Sequence, residues 1–225
     1  MFSIPVDTIF FHIIPILSAP LLLLVIVYFV LIKKQFGSEF PFYACFLLSY
    51  VIYLMGQLLQ FYSWPILAQL IIYTKVSLLF SIGIPSLLLA NIKLCGIQVS
   101  RFSSCVCYIL GLLTSVIFVM VRDGSSLTIL FDQKYGHMLP LLMTDATYSD
   151  LLIIATSVLV IFPSIYLIVY HLQQKVQTNI VVILCTSLLL GVLFVVGEFS
   201  YQYWLFNMSA FLLFILYWYF CGIVT

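Results

Sequence analysis

The chain is poor in charge. Of its 225 residues only 7% are Asp, Glu, Lys or Arg, eight basic and seven acidic, for a formal net charge of +1. A soluble domain of average composition carries about 25%. No water-facing shell can be assembled from so few, so the outer solvent must be lipid. The same scarcity leaves no basic stripe and excludes nucleic acid as a partner of this segment. Catalytic signatures are missing as well. His12, His137 and His171 are scattered, and there is no H-E-x-x-H, G-x-S-x-G or P-loop. No pair of carboxylates lies inside an apolar run, and the last run has no lysine for a retinal Schiff base. These absences argue against an enzyme, and no cofactor is expected.

What is present is apolar length. The chain is 65% hydrophobic, with a mean hydropathy of +1.27. Runs of about 20 apolar residues predict membrane-spanning helices rather than the alternating pattern of a barrel. Charges and breakers divide the runs into seven. Thr8–Ile32 closes at Lys33-Lys34. Met1–Asp7 has no basic residue and no small-residue cleavage site follows, so this first run reads as a retained span. Phe40–Phe61 and Pro65–Ile92 are separated at Tyr62-Ser-Trp64-Pro65, because Pro suits the first helical turn and Trp and Tyr favour the interface. Phe102–Val121, Leu151–Leu172, Asn179–Gly197 and Tyr203–Ile223 complete the set. The expected fold is an all-α membrane protein, a single seven-helix transmembrane bundle.

Basic residues orient it. Lys33, Lys34, Lys93, Arg101 and Lys175 fall on one side, and only Arg122 and Lys134 on the other. The positive-inside rule makes the first side cytoplasmic, with the N-terminus outside and the C-terminus inside. None of the six cysteines then lies in an outer segment, so no outer disulfide is expected. Cys95, Cys105 and Cys107 gather near one inner loop but have no histidine nearby, and read as small apolar fillers rather than metal ligands. The long loop Arg122–Ser149 carries two apolar runs around Asp132-Gln-Lys-Tyr-Gly136, the pattern of a β-hairpin. It is expected to lie as a lid over the outer opening. The chain ends inside the seventh run without a basic stop, so a cytoplasmic continuation is expected after Thr225.

Lys75 is the residue that points furthest toward function. It lies ten residues into the third span, about 13–15 Å deep by helical rise. A charge there is costly unless partnered, and an intramembrane ionisable residue is by default a functional-site candidate. Two readings stand side by side. Glu198, at the outer end of the sixth span, can pair with Lys75 for purely structural ends. Alternatively Lys75 faces a cavity open to the outside and meets an anionic ligand group. Gln57 and Gln60 share a helical face with Tyr53, and Tyr201 and Trp204 stand at the outer rim. The candidate ligand-binding set is thus Lys75, Glu198, Gln57, Gln60, Tyr201 and Trp204. No metal site is expected.

Seven spans, an outer N-terminus, an outer lid and a C-terminus aimed at the cytoplasm resemble the N-terminal seven-transmembrane sensory regions of bacterial membrane receptors. The resemblance is architectural and covers the whole chain. It implies a sensor that binds a small ligand in the outer half of the bundle and relays a signal to a cytoplasmic output domain, a kinase, cyclase or DNA-binding unit. It also implies a multi-pass protein of the bacterial inner membrane, and the homodimers common among such receptors. The competing expectations are a small seven-span transporter, against which no repeat is visible in the sequence, and a non-catalytic membrane subunit.

Overall fold

The computed structural model describes residues 38–62, 71, 74–123, 131–132, 137–138, 153–173, 178–200, 212 and 215. Helix dominates them. α1 is Phe40–Tyr62, α2 Thr74–Leu94, α3 Arg101–Asp123, α4 Ile153–Gln173 and α5 Thr178–Ser200. Described helix therefore lies within five of the expected segments. Among the described residues, three helices are long and apolar enough to cross a membrane: Thr74–Leu94, Ile153–Gln173 and Thr178–Val196. α1 and α3 add shorter apolar stretches, Phe40–Tyr53 and Arg101–Ile117. The first expected span lies outside the described residues, as does the seventh apart from Leu212 and Ile215, which are helical. Outside the helices, β1 (Phe131–Asp132) and β2 (His137–Met138) pair antiparallel, Phe131 with Met138 and Asp132 with His137.

Local chemistry sets the boundaries. α2 ends where Gly96 takes φ +74°, a left-handed cap that only glycine adopts without strain. The amide of Gly96 then reaches the carbonyl of Lys93, at 2.9 Å. Four residues later Ser100 starts α3, its Oγ accepting the amide of Ser103 at 3.0 Å, an N-cap. That is the physical content of the short polar link between the two helices.

The main core lies between α1, α2, α4 and α5. α1 contributes Tyr43, Phe46, Tyr50 and Tyr53, spaced along one face. α2 contributes Leu79, Phe80, Ile84, Leu87 and Ala90. Leu159 and Val160 of α4 and Ile183, Leu190 and Phe194 of α5 close it. Phe80 meets Phe194 edge to face, with ring centroids 5.8 Å apart. A smaller cluster joins Cys95, Leu167 and Leu184. The opposite faces of α3 and α4 expose Ile109, Leu112, Leu113, Val116, Ile154, Val158 and Phe162. Such a surface suits hydrocarbon, as the composition requires.

Two helices are not purely α-helical. In α2 the five residues Leu79–Gly83 form a π segment, and in α4 so do Ser157–Ile161. Each segment is followed by one residue and then Pro-Ser: Ile84-Pro85-Ser86 and Phe162-Pro163-Ser164. Proline removes a backbone donor, and a widened turn is one way to absorb that loss. The two segments form a local structural repeat that eye inspection of the sequence does not reveal. It shows only once backbone geometry is added to an otherwise common Pro-Ser pair.

Candidate functional site

Lys75 is buried, with 8% of its surface exposed, while the neighbouring Thr74 is exposed. α1 makes room for it. A Cβ added at Gly56 would stand 3.0 Å from Lys75 Cβ and 3.2 Å from its Cδ. The lysine stem therefore runs across a glycine notch, where a methyl would press it aside by a few tenths of an ångström. The ammonium ends over the ring of Tyr53, 5.2 Å from the centroid. Tyr53 stacks on Tyr50, and Tyr50 on Phe46, each pair with centroids 6.3 Å apart. Lys75 thus caps an aromatic ladder on α1. A cation–π contact is worth about 0.5–2 kcal/mol, whereas a lysine at mid-membrane depth costs about 2.5–3.5 kcal/mol on insertion scales. The ring offsets part of that cost. It is one of the contacts that Lys75 makes, not the whole set.

The other expected site residues are less defined. Gln57 and Gln60 lie on α1 and Glu198 in the last turn of α5, but their side chains fall outside the described residues. Tyr201 and Trp204 also fall outside them. The expected Lys75–Glu198 pairing thus lies outside the described residues.

A second polar centre was missed by sequence reasoning. Asn91, 2% exposed, lies at the C-terminal end of α2. Tyr43 of α1 donates its hydroxyl to Asn91 Oδ1 at 2.6 Å, and Ser187 of α5 donates to the same atom at 3.4 Å. One carboxamide joins three helices. Its signal in the sequence was a lone amide after Leu87-Leu-Leu-Ala90, the same criterion that singled out Lys75.

α3 serves the π segment of α2. Gly111 sits so close that an added Cβ would lie 2.5 Å from Pro85 Cγ and 2.6 Å from the Phe80 carbonyl oxygen. Ser115 donates its hydroxyl to the Ser77 carbonyl at 2.9 Å, and Tyr108 shares a 2.9 Å hydrogen bond with Ser86. Tyr108, Gly111 and Ser115 lie at i, i+3 and i+7, one face of α3. Neighbouring helices that satisfy freed carbonyls are what lets a broken helix persist in lipid.

The cysteines divide by burial. Cys95 is buried and Cys105 exposed. Burial pushes the Cys95 thiol up to about 11, so it carries no thiolate at neutral pH. Among the described residues no group of three or more potential metal ligands occurs.

No protein family matches this chain, and no curated protein or solved structure is similar to it.

Proposed function

We propose that the chain is a transmembrane sensor module that binds a small anionic or carbonyl-bearing ligand beside Lys75 and relays its presence across the membrane. The single observation that carries this reading is the placement of Lys75. Its ammonium is buried against the Tyr53 ring, and Gly56 is kept small to admit its stem. A ligand pocket in an apolar surround needs a few convergent polar groups and an aromatic wall, and Lys75 on its tyrosine ladder supplies the first polar group and the wall. Gln57, Gln60, Glu198, Tyr201 and Trp204 are the proposed companions. In the proposed orientation the pocket opens outward, beneath the hairpin of the long loop. The C-terminal end of the bundle then faces the cytoplasm, where an output domain or a partner copy would receive the signal. The bilayer is the bacterial inner membrane.

The test uses the purified chain in nanodiscs, screened by thermal shift against small mono- and dicarboxylates. The expected result is a stabilising carboxylate whose shift is lost in Lys75→Met while the basal melting temperature of that variant is retained. Equal shifts in wild type and Lys75→Met would remove Lys75 from ligand recognition and leave its role structural.

A second reading, a small carrier, gains from one observation. Proline-interrupted helices are a pointer to a transport path, and α2 and α4, the third and fifth expected spans, each break one residue before Pro-Ser. Uptake of a labelled carboxylate into proteoliposomes separates it from the sensor.

A further inference from the structure

The two π segments are built alike but held differently. That of α2 is gripped at three points along one side by α3: Ser115 before it, Gly111 against its carbonyls and Tyr108 just beyond it. The C-terminal half of α2 is then tied at Asn91 to α1 and α5. Among the described residues, no side-chain hydrogen bond ties α4 to another helix. Its π segment meets Gly191 of α5 through side chains: an added Cβ there would stand 3.0 Å from Val160 Cγ1 and Ile161 Cγ1 and 3.4 Å from Val160 Cβ, with no backbone atom among its nearest neighbours.

α4 also carries every buried side-chain polar atom that has no partner among the described residues. Thr156 Oγ1 precedes the π segment directly, and Nδ1 and Nε2 of His171 lie in the last turn beyond it. Thr156 and His171 are each 2% exposed. Buried polar groups are ordinarily paired, and unpaired ones call for a reason. Here they bracket the one irregular segment of the helix. A π segment holds one residue more than an α-helix needs, so its relaxation turns everything beyond it by about 100°. That turn would carry His171 to a different neighbour and change the environment of Thr156.

We propose that Ser157–Ile161 is a register hinge, on which Phe162–Gln173 turns between two settings while the matched segment of α2 stays fixed as its reference. Ile84–Leu94 of α2 packs against both the π segment and the C-terminal half of α4, so the moving half slides on a clamped surface. The device does not depend on the identity of any ligand at Lys75, and it serves a sensor or a carrier equally.

The test is pulsed electron–electron resonance on the full chain in nanodiscs, with the native cysteines replaced. Spin labels go at two exposed sites, Gln98 after α2 and Leu172 on α4. A reference pair joins Leu48 of α1 to Gln98. A turn of about 100° moves a side chain on the helix surface by on the order of 8 Å. The Gln98–Leu172 pair is expected to show two distance populations, and Leu48–Gln98 one. Pro163→Ala, which returns a backbone donor to α4, should shift the weight between the two populations. Pro85→Ala should leave the Gln98–Leu172 distances as they are. Thr156→Val, nearly isosteric, should also shift the weight, and it decides the matter should Pro163→Ala fail to give a monodisperse protein. A single Gln98–Leu172 distance, the same in wild type, Pro163→Ala and Thr156→Val, would overturn the hinge.

Discussion

α2 and α4 share a motif and differ in setting. Both pass through five π residues, then one residue, then Pro-Ser. Yet α2 is 61% buried over its apolar window and α4 only 28%. Around α2, Ser115 donates to the Ser77 carbonyl and Gly111 packs closely against Phe80 and Pro85. Around α4, a threonine hydroxyl and an imidazole are buried without partners among the described residues. The same backbone irregularity is thus a packed joint in one helix and a loose one in the other. What separates them is the helix opposite. α3 presents Tyr108, Gly111 and Ser115 in register, whereas α5 presents one glycine flanked by apolar side chains.

The largest effect should come from the closest approach. Gly111→Ala forces a methyl against the Phe80 carbonyl and Pro85, backbone and ring that cannot swing aside. Overpacking of this kind costs about 1–3 kcal/mol and can cost more. Gly191→Ala meets side-chain carbons of Val160 and Ile161 at 3.0 Å rather than a carbonyl and a ring at 2.5–2.6 Å, and should cost less. Reversible unfolding of both variants in mixed micelles ranks them, and equal losses would erase the distinction between joint and hinge.

Next in size is Asn91→Leu. It removes the acceptor of two buried hydrogen bonds, from Tyr43 and Ser187, each worth about 0.5–1.5 kcal/mol in the same assay. A variant as stable as wild type would show that the three-helix node is incidental.

The smallest effects form a pair. Ser115→Ala should cost about 0.5–1.5 kcal/mol, since it removes a made hydrogen bond. Thr156→Val should cost nothing or stabilise slightly, because the hydroxyl it removes has no bond to lose. Measured side by side, they ask whether polar groups stabilise α2 and burden α4. A loss for Thr156→Val as large as that for Ser115→Ala would contradict the contrast.

Much of the helical plan was legible in the sequence because lipid imposes it. Phe40–Phe61, Phe102–Val121, Leu151–Leu172 and Asn179–Gly197 each hold described helix, since charge and apolar length leave few alternatives at about 1.5 Å per residue. Lys75 was legible for the same reason: a lysine in an apolar run stands out against its background. Gly56 was not, because a glycine in a helix has many readings until a lysine stem is seen lying across it. Asn91 was legible in principle and passed over. The π segments were illegible. Pro85 and Pro163 announce a break but not its form, and the form depends on which helix supplies the missing contacts.

By itself, then, the sequence determined that the chain suits a lipid-like solvent, that its long apolar segments are helical, and that a lysine must be accommodated within one of them. These follow from transfer free energies and backbone hydrogen bonding, which act segment by segment. Only the tertiary structure decided that Lys75 lies over Tyr53 across a glycine, that Asn91 links three helices, and that one of two like breaks is gripped while the other is not. Those outcomes depend on which faces meet, and meeting faces are set by packing between segments far apart in the chain.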